Sequence, residues 1–106
     1  MKIIDLKQIK ADKQFKPHKI IQQEEVEVVI LAFKPGQGLP VHKTPVDVFF
    51  YVIAGEAEIQ VGKETKTVKA GSIVLSPANI DHTVKNTSGE DNKVMVVKTP
   101  SPGIKK

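Results

Sequence analysis

The chain contains no cysteine, no tryptophan and no arginine. Without cysteine it has no disulfide, no thiolate ligand and no thiol nucleophile, so metal chemistry would rest on histidines and carboxylates. Without arginine it lacks the planar fork that grips phosphate and carboxylate bidentately, which disfavours a nucleotide or sugar-phosphate substrate. All 16 basic residues are lysines, and the net charge is +4. They are scattered, apart from Lys105-Lys106, and form no basic stripe interleaved with aromatics, so no nucleic-acid partner is expected. No apolar run approaches the ~20 residues of a membrane span. Met1-Lys2-Ile3-Ile4-Asp5 lacks the apolar core of a secretory signal. The expectations are no membrane partner and a cytoplasmic location. At 106 residues, one domain with one modest core is expected.

Hydrophobic periodicity is two almost throughout, and no 11-residue window supports a helix. Candidate strands run over 19–23, 26–33, 46–54, 56–61, 65–70, 72–76, 82–85 and 93–98. Turn signals at Pro35-Gly36, Gly38, Gly55, Gly62-Lys63, Gly71, Pro77 and Ser88-Gly89 separate them. So many short strands at this spacing predict an all-β sandwich or barrel. Residues 1–18 read as an N-terminal extension, and the Pro-rich tail 99–106 as extended or partly disordered.

Alternation assigns the faces. Ala57, Ile59 and Val61 oppose Glu56, Glu58 and Gln60, giving a half-buried strand. In 46–54 both faces are apolar: Val48, Phe50 and Val52 on one, Phe49, Tyr51 and Ile53 on the other. A small barrel has one interior, so the second face needs a cover. Either the N-terminal segment (Ile3–Leu6, Ile20-Ile21) or a partner subunit supplies it, and a homodimer through Phe49, Tyr51 and Ile53 is the expectation.

Two segments carry motif information. Gly36, His42 and Gly55 fall at the spacing G-(X)5-H-X-H-(X)3,4-E-(X)6-G, with Thr44 where the second histidine stands and, counting from Gly55, Val48 where the glutamate stands. Gly71, Pro77, His82 and Asn86 fall at the spacing G-(X)5-P-X-G-(X)2-H-(X)3-N, with Asn79 replacing a glycine. These segments resemble the paired motifs of the cupin family. The resemblance spans 36–86 and implies a jelly-roll, or double-stranded β-helix, barrel that holds a metal or small ligand inside. Asn79 is a mild departure, because asparagine tolerates the left-handed conformation better than most residues.

Residues two apart on a strand share a face, so an H-X-H pair presents two imidazoles to one interior. A full set of three histidines and one carboxylate suits Mn, Fe, Ni, Zn or Cu. Here the matched metal ligands reduce to His42 and His82, and only a weakly held divalent metal at low occupancy is expected. Asp47 would serve only if a bulge re-aimed it. The alternative for both histidines is a hydrogen bond to Thr44, a carbonyl or water, or direct contact with an organic ligand. His18 reads as a solvated surface residue, Glu24-Glu25 as an exposed turn, and Ser76 and Asp81 as a strand end and a turn rather than partners of His82 in a triad. No acid is apparent on the histidines' face.

The expected function is therefore a binding module: a single-domain cupin that takes a small-molecule ligand between His42, Thr44, Val48, Phe50 and His82. A metal-dependent dioxygenase, isomerase or decarboxylase using His42 and His82 is the alternative. A third reading is an interaction protein working through Phe49, Tyr51 and Ile53. Shape alone does not decide among them.

Overall fold

The structure, a computed structural model, describes residues 1–102; tail positions 103–106 lie outside the described residues. One turn of 3-10 helix, Leu6–Gln8, precedes eight strands. The strands are β1 (His18–Gln22), β2 (Glu27–Phe33), β3 (Asp47–Ala54), β4 (Glu56–Val61), β5 (Glu64–Lys69), β6 (Ile73–Ser76), β7 (His82–Lys85) and β8 (Asn92–Thr99). Each predicted strand is present, with ends that match or differ by one residue. The short helical turn had no sequence signal, since three residues cannot show a 3.6-residue period.

All pairings are antiparallel, in a five-stranded sheet of order β1-β2-β8-β3-β6 and a three-stranded sheet of order β5-β4-β7. The segment before β3 lengthens the smaller sheet. Gly36 N donates to Asn86 O at 2.8 Å, Leu39 N to Val84 O at 3.0 Å, and His42 and His82 exchange both backbone bonds at 3.1 and 2.9 Å. The two sheets face each other as a jelly roll, with Val29, Leu31, Phe33, Val48, Phe50, Val52, Ala57, Ile59, Val84, Val94 and Val96 as the buried core between them.

Directly opposed residues share a face, so the register maps the interior. In the large sheet one inward row reads Gln22, Glu27, Lys98, Val48, Ser76. The next reads Lys19, Val29, Val96, Phe50, Val74, and the one after it Leu31, Val94, Val52. The interior is thus polar at one end and apolar below. At the other end Phe15 stacks on Phe33, with centroids 4.6 Å apart.

Motif positions without chemistry explain themselves as turns. Gly55 has φ +73, and a Cβ there would lie 2.7 Å from the Asp91 carbonyl oxygen. Asn79 adopts φ 64, the left-handed conformation expected where a glycine is usual. Asn86 is buried: its Nδ2 donates to Phe33 O and Glu90 O while its Oδ1 accepts from Ser88 N and Oγ, which fixes the β7–β8 turn. In the tail, Ser101 is buried and donates its N–H to Glu24 O at 3.0 Å.

The outer face of the large sheet is apolar. Phe49 opposes Val97 and Leu75, and Tyr51 opposes Met95 and Ile73. Its β2 side is covered, with Val28 and Ile30 buried, and the N-terminal segment reaches it where Lys93 Nζ donates to Leu6 O at 2.6 Å. Its β6 side is open: Ile73 and Leu75 are 64% and 65% exposed, and Phe49 and Tyr51 half-buried.

Candidate functional site

The two motif histidines meet because their backbones are paired. As opposed residues of an antiparallel bridge, His42 and His82 send both rings to one face. The centroids lie 4.7 Å apart with the rings edge to face, and Phe50 presents its ring to His82 from the opposite sheet at 5.4 Å.

The two imidazoles have different chemistry. His82 is buried, with Ser76 Oγ 2.8 Å from Nδ1 and Thr44 Oγ1 3.2 Å from Nε2. A hydroxyl can donate or accept, so either neutral tautomer is satisfied: one hydroxyl gives a proton and the other takes one. Burial first, then the neighbouring His42 and Lys98, push the His82 pKa down to about 4, and the ring is neutral at pH 7. His42 is half-buried; its Nδ1 donates to the Pro40 carbonyl at 2.9 Å. That bond leaves Nε2 as the open ring nitrogen.

A cavity of about 180 Å³ opens beside these rings. His42, His82 and Phe50 line it, together with Leu39, Val29, Leu31, Val84, Val96, Thr83 and two lysines, Lys19 and Lys98. Of the other expected contact residues, Thr44 lies against His82, and Val48 is buried in the core; neither lines the cavity.

An acid stands on the inward face of the large sheet, opposite the sheet that carries the histidines. Glu27 is buried at 2% exposure, with Lys98 Nζ 3.3 Å from one oxygen and Lys19 Nζ 3.9 Å from the other, which also accepts from Gln22 at 3.4 Å. The available signal was phase: Glu27 continues the inward series Val29, Leu31, Phe33, and Lys98 the series Val94, Val96. Because Val28, Ile30 and Ala32 are equally apolar, the sequence did not say which series faces in.

The donor set does not fit the full family metal site. Thr44 is a hydroxyl already committed to His82, Val48 offers no donor, and both His82 nitrogens have hydroxyl partners. Among the described residues no group of three His, Cys, Asp or Glu side chains is placed to hold a metal. Asp47 is exposed and accepts from Ala78 N at 2.9 Å, so it braces the turn before β7. Ser76, His82 and Asp81 form no triad, because the ring nitrogen away from Ser76 meets Thr44, not a carboxylate. Glu24 and Glu25 are exposed in a bend. His18 opens β1 and is half-buried, not fully solvated.

A barrel of this topology with a histidine-lined interior defines the cupin class, and the cupin domain model matches residues 29–98. The chain belongs to the cupin family. It is 31% identical over 88 residues to auxin-binding protein 1 of Arabidopsis thaliana, covering 74% of this chain and 44% of that protein. It is 34% identical over 80 residues to a 3-hydroxyanthranilate 3,4-dioxygenase of Bacillus cereus, covering 68% of this chain and 45% of that one. The chain spans about half the length of the curated relatives it matches. A crystal structure from Thermus thermophilus superimposes with a TM-score of 0.90 at 30% identity, over 96% of this chain and 100% of that one. Among the described residues no helix is long and apolar enough to cross a membrane.

Proposed function

We propose that the chain is a single-domain cupin that binds a small molecule in the cavity between His42, His82 and Phe50, and holds a metal only weakly. The observation that carries this reading is the pairing of a partly enclosed, mostly apolar cavity of about 180 Å³ with a depleted donor set. Apolar walls with a few convergent polar groups are the usual build of a ligand site. His42 Nε2 offers one nitrogen, but His82 would have to give up Thr44 or Ser76 to offer a second. Cytoplasmic residence accords with the absence of cysteine, and a homodimer with the open apolar side of the large sheet.

The second reading, a metal-dependent enzyme, is favoured by the relative named as a dioxygenase; the relative named as a binding protein favours the first. Thermal unfolding of chelator-treated protein against a small-molecule panel separates them. At a ligand concentration 100 times Kd, stabilisation of about 2.7 kcal/mol is expected. Stoichiometric metal in protein purified without chelator, lost in His42→Ala and His82→Ala, would overturn the weak-metal reading and favour the enzyme instead.

A further inference from the structure

The cavity's charge has no counterpart in the motif. Lys19 and Lys98 line it, and none of the described residues that line it is acidic. The two ammonium groups share one carboxylate, Glu27, whose side chain is 3% exposed, whereas those of Lys98 and Lys19 are 23% and 53% exposed. Glu27 does not line the cavity, whereas both lysines do. Two lysines and one glutamate leave a net charge of +1 on that wall. Each ammonium has three N–H donors, and their contacts with Glu27 are ion pairs at 3.3 Å for Lys98 and 3.9 Å for Lys19.

The remaining walls set the ligand's body. Val29, Leu31, Leu39, Val84, Val96 and Phe50 are apolar, and neutral His82 adds an aromatic edge. Apolar cavities of roughly 150 Å³ admit benzene. The volume here, about 180 Å³, accommodates a ring-sized body with one small polar group.

We infer that the ligand of this site is a small monocarboxylate with a compact apolar body, its carboxylate held by Lys98 and Lys19 and its body seated on Phe50 and the valine–leucine wall. The inference rests on the binding-module reading and adds charge and size to it. Di-anions exceed the wall's single net charge, and cations meet two ammonium groups with no accessible carboxylate. Lys98 is the main anchor, because its side chain is the more enclosed, 23% exposed against 53% for Lys19.

Benzoate and its neutral isostere benzamide are suitable probes, read by the imidazole resonances of His42 and His82 in metal-free protein. Benzoate is expected to bind at least tenfold more tightly than benzamide, with benzylammonium weakest. Lys98→Met should lower benzoate affinity about tenfold and leave benzamide unchanged. Since that variant strands Glu27, the double variant Glu27→Gln, Lys98→Met provides a folded check that keeps the wall at +1: benzoate affinity below the parent's is expected from loss of the Lys98 contact, and affinity equal to the parent's would overturn Lys98 as the anchor. Benzamide binding as tightly as benzoate would overturn the charge assignment and leave the binding-module reading standing. Resonances unmoved by every probe at millimolar concentration would overturn both.

Discussion

At the scale of single residues, His82 behaves as a structural member of the site more than as a metal ligand in waiting. Its ring is buried, both nitrogens meet hydroxyls, and its pKa is pushed from 6.5 down to about 4. Between those values the unfolded chain binds a proton that the folded chain refuses. The contribution is therefore complete above pH 6.5 and is lost as the pH falls toward 4. The loss attributable to this ring is on the order of 3 kcal/mol. Urea midpoints at several pH values should show it, and His82→Gln should flatten the curve in that window. Ser76→Ala, which removes the shorter partner, is expected to cost about 1–2 kcal/mol and shift the ring's tautomer balance, visible in its nitrogen chemical shifts. Replacement of two motif positions by Thr44 and Val48 was legible as depletion of the metal set. That the hydroxyl of Ser76 would take the other nitrogen was not, because a serine at a strand end carries no pattern of its own.

At the scale of strands and turns, the sequence was most readable where one face is polar. Strand β4 alternates cleanly, and its bounds match the expectation residue for residue. In β2 every residue is buried, so period two cannot say which series faces the cavity, and Glu27 stayed hidden there. The same ambiguity concealed Lys98 in β8. Turns were readable through conformation. Gly55→Ala is expected to cost about 2 kcal/mol or more, because the residue has positive φ and its Cβ would press on the Asp91 carbonyl. Asn79→Gly should be tolerated within about 1 kcal/mol, while Asn79→Val should lose about 1–2 kcal/mol at its left-handed position. Chemical denaturation of the three variants checks both.

At the scale of the whole molecule, the paired segments around Gly36–Gly55 and Gly71–Asn86 made the barrel recognisable through their resemblance to the cupin motifs, whereas the state of assembly depends on a surface. The open apolar strip of Phe49, Tyr51, Ile73 and Leu75 supports a homodimer. Sedimentation velocity should give a dimer for the parent chain and a monomer for Leu75→Glu, with unchanged circular dichroism. The most direct test of the proposed function is an imidazole NMR titration of rigorously metal-free protein with a small ligand taken from the thermal panel. The account predicts saturable movement of the His42 and His82 resonances without metal, and no tightening when one equivalent of Zn is added. Movement that occurs only after stoichiometric metal has been loaded would contradict it.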